Sequence, residues 1–138
     1  MGKIDLFVMQ RAYTPDDAQL RFAQDFSRAT EPTMMEDPGI VSGVWEKHVT
    51  IKYRVWDKNS LVLAEIFATP AGQRHGGKGL RFLCGLADKH KLSIKLNARP
   101  IGYEAQSRLR DECELLGWYK QHGFTRTDSG TLMIRIPA

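Results

Sequence analysis

The sequence has little of what marks secreted, membrane or metal-binding proteins. It holds two cysteines, Cys84 and Cys113, and neither has a Cys or His at the spacing of a metal site. These thiols are therefore expected to be buried and reduced, with no metal and no disulfide framework. No apolar run approaches the roughly 20 residues that span a bilayer, and the first residues carry no secretory pattern. We expect a cytoplasmic protein that does not bind membranes.

Internal repeats, low-complexity tracts and long linkers are also lacking. The 138 residues are therefore expected to form one domain, residues 1–138, whose core needs no covalent cross-link. The net charge is only +4, which suits an anionic ligand. No basic stripe with interleaved aromatic residues is present, so a nucleic-acid partner is not expected.

Hydrophobic periodicity and turn residues predict strands and a helix in the N-terminal half. An apolar run predicts a strand at residues 4–9. Thr14 and Pro15, followed by two aspartates, predict a helix start with Thr14 as the N-cap. Prolines and glycines at 31–43 predict a connecting segment, and alternating apolar residues predict one strand from Trp45 to Val55.

In the C-terminal half the sequence again predicts strands and helices in alternation. The nearly continuous apolar run at 61–68 predicts a central strand covered on both faces. After a glycine-rich loop come a helix, a strand at 93–98, a second helix ended by Gly123 and a closing strand at 131–136. This order of elements predicts a mixed α/β domain.

The loop after the central strand reads GQRHGGKG, at residues 72–79. Gly72, Gly77 and Lys78 match a P-loop, but Gly79 stands where that loop has the hydroxyl that binds magnesium. The nucleotide-hydrolase interpretation is therefore disfavoured. Glycines before a helix N-terminus still suit an anion, which leaves another kind of phosphate cradle or a plain turn as alternatives.

Two sequence motifs, taken together, resemble those of a known protein family. Residues 74–79 match R-x-x-G-x-G, and WYKQHGF at 118–124 has a tyrosine, three residues and then Gly-Phe. With one helix and one strand between them, these motifs resemble those of the GCN5-related N-acetyltransferases, in particular small members from phages and bacteria. The resemblance covers about residues 60–136 and has no motif in the N-terminal half. It implies one mixed, mostly antiparallel sheet flanked by helices (the acyl-CoA N-acyltransferase-like fold), splayed between two parallel central strands.

The same resemblance implies acetyl-CoA as co-substrate, no metal, and direct transfer of the acetyl group to a primary amine. The acceptor is left open among a protein lysine, an N-terminus and a small amine, and a homodimer is also left open. Asn97 either reaches acetyl-CoA or satisfies a group at a strand edge. The resemblance assigns the other contacts to the end of the central strand and to the loop: Phe67, Ala68, Thr69, Arg74, His75, Gly76, Gly77, Lys78, Gly79 and Leu80.

Two residues are candidates for proton transfer. Tyr119, with a reference pKa of about 10, is the candidate general acid, or else a helix-surface aromatic beside Leu115. Glu65, a carboxylate inside an apolar strand, is the candidate base, or else a salt-bridge partner of Lys52 or Arg54. His48 and His122 are expected to be surface residues. The rival functions are a non-catalytic acyl-CoA-binding regulator and, less favoured, a basic nucleic-acid-binding module.

Overall fold

The computed structural model describes residues 14–33, 39–55, 57–69, 75–98, 112–127 and 131–138. The strand predicted at 4–9 and residue Arg74 lie outside these ranges. Within them the helices are α1 (Asp17–Ala29), α2 (His75–Lys89) and α3 (Glu112–Lys120). The strands are β1 (Thr30–Pro32), β2 (Val41–Trp45), β3 (Val49–Arg54), β4 (Ser60–Ala68), β5 (Ser93–Asn97), β6 (Thr125–Arg126) and β7 (Leu132–Arg135).

The strands of the described residues form one mixed sheet in the order β1-β2-β3-β4-β5-β7-β6. Neighbours are antiparallel except β4 and β5, which run parallel at the centre. Their pairing stops at Leu63 and Leu96, whereas β4 continues to Ala68. Beyond these residues β4 has no partner in β5, which agrees with the splay that the family resemblance implied. No helix in the described ranges is both long and apolar enough to cross a membrane.

Helix α1 begins two residues later than the sequence predicted. Asp16, and not Thr14, is its N-cap: Asp16 Oδ1 accepts a hydrogen bond from the Gln19 amide at 2.8 Å. The Gln19 side chain accepts one in return from the Asp16 amide at 2.9 Å. This reciprocal capping box satisfies two donors, which the single hydroxyl of Thr14 cannot do.

The predicted single strand from Trp45 to Val55 is wrong, because it is two strands joined by a tight turn. Glu46 and Lys47 have φ angles of 51° and 67°, and the His48 amide donates to the Trp45 carbonyl at 3.2 Å. Such turns usually carry glycine or asparagine, so a Glu-Lys pair gives no sequence signal. The connecting segment predicted at 31–43 likewise contains strand residues.

Helix α2 lies close against β3, and Gly79 makes this approach feasible. A Cβ at Gly79 would lie 2.5 Å from Val49 Cγ1, well inside van der Waals contact. Val49 and Leu80 are both completely buried. The contact seats the N-terminal half of α2 on the sheet beside the end of β4.

We predict that alanine substitutions at two glycines of α2 change the free energy of unfolding in opposite directions. Gly79→Ala should lower the free energy of unfolding by about 1–3 kcal/mol, because the added methyl overpacks Val49. Gly85→Ala should raise it by up to about 1 kcal/mol, because a Cβ there meets nothing within 4 Å and alanine favours the helix. Urea denaturation measures both, and equal effects would contradict the packing role of Gly79.

Candidate functional site

Among the described residues, the end of β4 has one edge that β5 does not cover. Residues 64–68 lack a β5 partner on this side, while residues 65–68 pair with β3 on the other. The Thr69 amide donates to the His48 carbonyl at 2.8 Å, and His48 Nδ1 donates to the Thr69 carbonyl at 3.0 Å. Because main-chain groups alternate along a strand, those of Phe67 and Thr69 face β3 and those of Ala68 face the gap. Of the three predicted contacts, Ala68 is the one placed to pair with an extended ligand.

A β-bulge lies in the middle of β4. Lys52 pairs with Glu65 but the next residue, Tyr53, pairs with Leu63, so Ala64 is an extra residue. Bulges re-aim side chains and are common next to active sites. Glu65 directly follows this bulge and lies in the part of β4 that pairs with β3 but not with β5.

Glu65 has a buried oxygen that the described residues do not satisfy. Its Oε1 is shielded from solvent and has no hydrogen-bond partner in the described ranges. Lys52 is its cross-strand neighbour, yet no ion pair joins Glu65 to Lys52 or Arg54 among the described residues. An unsatisfied buried polar group costs about 1–3 kcal/mol, so Glu65 remains a candidate for a functional role.

The N-terminus of α2 offers free amides beside the gap. In an α-helix the first N–H groups have no intrahelical acceptor, which here leaves those of His75, Gly76 and Gly77. The amides of Gly79 and Leu80 belong to the helix's own ladder, so these two predicted contacts are not available as donors. The predicted phosphate cradle is thus confined to the first turn in the described residues.

The first side chain of α2 stacks on the β2–β3 turn. The His75 and His48 rings lie 4.1 Å apart between centroids and 13° from parallel. Partial burial, followed by the charges of His48 and Lys78, lowers the pKa of His75. His48 was expected on the polar side of a strand and instead lies in the turn, where it links this turn to α2 and Thr69.

Gly76 and Gly77 are not required by packing among the described residues. A Cβ at Gly76 would lie 3.7 Å from Trp118 Cζ2, and one at Gly77 would lie 4.0 Å from Trp118 Nε1. Both are ordinary contacts, unlike the clash at Gly79, and neither glycine has a positive φ. Glycine in a helix is unfavourable by up to about 1 kcal/mol. Two adjacent glycines here suit a ligand that approaches the main chain closely.

The Tyr119, Gly123 and Phe124 motif forms the end of α3. The Phe124 amide donates to the Tyr119 carbonyl at 3.3 Å, and the Gly123 amide donates to the Lys120 carbonyl at 3.1 Å. Gly123 has a φ of 93°. These are the two bonds of a Schellman cap, and the 5.5 Å contact between the Tyr119 and Phe124 rings completes it.

Tyr119 belongs to the core. Its exposed fraction is 8%, so Tyr119 is not the helix-surface aromatic of the alternative interpretation. Burial raises the pKa of the phenol above its ordinary value, which keeps it protonated and makes it a weaker acid. Its role as general acid stays a prediction.

Asn97 and His122 have partners of their own. Asn97 Oδ1 accepts a hydrogen bond from the Thr131 hydroxyl, across the pairing of β5 with β7. This arrangement favours the strand-edge interpretation of Asn97. His122 was expected at the surface, but it is half-buried beneath Trp118, with ring centroids 5.7 Å apart.

His122 also borders an open cleft of 540 Å³ between α2 and the end of α3. An ion pair forms one wall of the cleft: Arg135 donates to both oxygens of Asp88, at 2.6 and 2.9 Å. Arg135 Nε also donates to the His122 carbonyl at 2.8 Å. The lining residues are Arg81, Cys84, Gly85, Asp88, Gln121, His122, Gly123 and Arg135.

Comparison with known proteins agrees with this architecture. No protein-family model and no curated protein matches the sequence. Among solved structures, the chain is similar to the anti-CRISPR protein AcrVA5, with a TM-score of 0.55 and 19% identity over 70% of this chain and 97% of that chain. At this identity the likeness concerns the fold alone. The mixed sheet flanked by helices is consistent with the acyl-CoA N-acyltransferase-like fold, and the predicted fold class is confirmed.

The Asp88–Arg135 pair should give stability that depends on pH. Hydrogen bonds from Arg135 lower the pKa of Asp88 below its unfolded value of about 3.9. The stabilisation is therefore complete above about pH 5 and is lost as the pH falls through the folded pKa. We predict that the unfolding free energies of wild type and Asp88→Asn converge between about pH 5 and pH 2. A difference that stays constant over this range would contradict the assignment.

Proposed function

We propose that the protein is an N-acetyltransferase that moves the acetyl group of acetyl-CoA to a primary amine by direct transfer. The observation that carries the proposal is the open edge of β4 next to the free N-terminal amides of α2. The first feature suits an extended, amide-containing arm, because such an arm pairs with an unpaired strand edge. The second suits a pyrophosphate. Coenzyme A has these two parts joined end to end.

In this proposal β4 and the first turn of α2 bind different parts of coenzyme A. The main-chain groups of Ala68 pair with the pantetheine arm, and the amides of His75, Gly76 and Gly77 bind the pyrophosphate. Lys78 is exposed in the same turn and adds positive charge. The family resemblance also assigns Arg74 to this task, a residue outside the described ranges.

Acetyl-CoA supplies the acetyl group as an activated thioester. Glu65 removes the proton that the amine loses as it attacks the carbonyl carbon, directly or through a water. Tyr119 gives a proton to the thiolate that leaves when the carbon–sulfur bond breaks. The position of Glu65 after the bulge and its unsatisfied Oε1 support its part, whereas the support for Tyr119 comes from the family resemblance.

We predict that the two glycines of the first turn serve ligand binding at the expense of helix stability. The double variant Gly76→Ala/Gly77→Ala should bind acetyl-CoA at least about tenfold more weakly, or about 1.4 kcal/mol, because the methyls obstruct the main chain. Its unfolding free energy without ligand should not fall. Isothermal titration calorimetry and urea denaturation measure the two effects.

Gly117→Ala is the matched control, because it also changes a helical glycine with room for a Cβ, which would meet nothing within 4 Å at this position. It should stabilise the protein and leave acetyl-CoA affinity unchanged. Normal affinity in the double variant would mean that the loop is only a turn.

In thermal melts of the wild type, acetyl-CoA at 100 times its dissociation constant should add about 2.7 kcal/mol to the free energy of unfolding. Stabilisation by Mg-ATP or duplex DNA in its place would refute the proposal.

For the chemical steps, we predict that Glu65→Gln and Tyr119→Phe each lower turnover by about 100-fold or more without weakening acetyl-CoA binding. Tyr119→Phe retains the ring contact with Phe124, and the Schellman cap uses only main-chain groups. Release of the coenzyme A thiol is measured with lysine peptides, free N-termini and polyamines as acceptors.

Tyr53→Phe is the matched control for the tyrosine variant. Tyr53 is 2% exposed, and its hydroxyl has no hydrogen-bond partner in the described residues. Its ring packs against α1, 5.2 Å from that of Phe22, so turnover should not change. Unchanged turnover in Tyr119→Phe would remove Tyr119 as the acid. Binding by the wild type without turnover on any acceptor would favour the non-catalytic regulator.

A further inference from the structure

The cleft between α2 and α3 is continuous with the first turn of α2. Gly77 and Arg81 are four residues apart and lie on one face of α2, since such pairs are neighbours on a helix. Trp118 and His122 have the same spacing on α3. Trp118 lies beside Gly77, and His122 lies with Arg81 in the lining of the cleft. The cleft therefore begins where the proposed pyrophosphate site ends.

The charges of the cleft do not cancel. Asp88 and Arg135 neutralise each other in their two-bonded ion pair. Arg81 is exposed and has no ion pair or hydrogen bond with any side chain in the described part of the protein. Burial, followed by the charges of Arg81 and Arg135, lowers the pKa of His122. These features indicate a positive potential that no carboxylate of the described cleft lining offsets.

We propose that Arg81 binds the 3′-phosphate of coenzyme A and so selects the coenzyme over nucleotides that lack this phosphate. The inference rests on the proposed function, because it assumes that the pyrophosphate lies at Gly77. Four residues of helix span about 6 Å, comparable to the reach from the 5′ to the 3′ side of one ribose. A guanidinium is the side chain best suited to a phosphate dianion, which it contacts with two donors.

The neighbouring residues fit this assignment. The Trp118 indole, half-buried between Gly77 and His122, offers an aromatic face next to the place of the adenine. Gly85 leaves the floor of the cleft open, since nothing lies within 4 Å of a Cβ at that position. The cleft volume of 540 Å³ falls within the range of small-molecule sites, about 300–1,000 Å³.

The test compares coenzyme A with 3′-dephospho-coenzyme A, which differs only in the missing phosphate. Affinities are measured by isothermal titration calorimetry for wild type, Arg81→Gln and Lys120→Gln. Lys120 is an exposed cation at the end of α3 outside the cleft lining, so this variant loses the same unit of charge elsewhere. Thermal melts verify that each variant is folded.

Wild type and Lys120→Gln should bind coenzyme A at least tenfold more tightly than the dephospho form. In Arg81→Gln the two ligands should bind within about twofold of each other, with the dephospho affinity unchanged. A preference that survives in Arg81→Gln, or its absence from the wild type, would overturn the assignment of Arg81 while the proposed function stands. Failure of the wild type to bind either ligand would overturn both.

Discussion

The candidate site depends on the point at which the parallel pairing of β4 and β5 stops. Up to Leu63 and Leu96 the two strands share a ladder, and beyond it β3 is the neighbour of β4 among the described strands. An unpaired strand edge is usually found at the rim of a sheet and attracts other strands. Here it lies at the centre of the sheet and leads to the N-terminus of α2. Both features present main-chain groups without partners among the described residues, and the proposed binding of an extended anionic ligand depends on them.

Much of the architecture was predictable, since it follows from side-chain pattern. The alternation of β3 and the apolar run of β4 required only periodicity, and the left-handed Gly123 required only its residue type. The β2–β3 turn was missed because its main-chain conformation is set by strand pairing on both sides, which overrides the reluctance of Glu46 and Lys47 to adopt positive φ. The bulge at Ala64 was missed for a similar reason, because it is a relation between two strands that one strand's sequence does not show.

The motif that pointed to coenzyme A also has a structural explanation, which covers all of it except the tyrosine hydroxyl. Tyr119 contributes its carbonyl to the Schellman cap and its ring to Phe124, and Gly123 supplies the left-handed residue. Any helix that ends in this way against a core favours an apolar residue, a glycine and a second apolar residue at these positions. The motif therefore supports the fold more strongly than the chemistry. The tyrosine hydroxyl is the one part of it that the cap does not use.

The glycines of the loop also differ in whether packing explains them. At Gly79 even the Cβ of a serine would lie 2.5 Å from Val49, so the hydroxyl of a P-loop is sterically excluded whatever the ligand. The packing of α2 on the sheet explains why this residue is glycine, so Gly79 is not evidence for phosphate binding. Gly76 and Gly77 have space for a Cβ and helical φ angles, so neither packing nor backbone conformation among the described residues explains them. A ligand that lies close to the main chain would explain both glycines. The case for a phosphate cradle therefore depends on two glycines at which alanine would make the helix more stable.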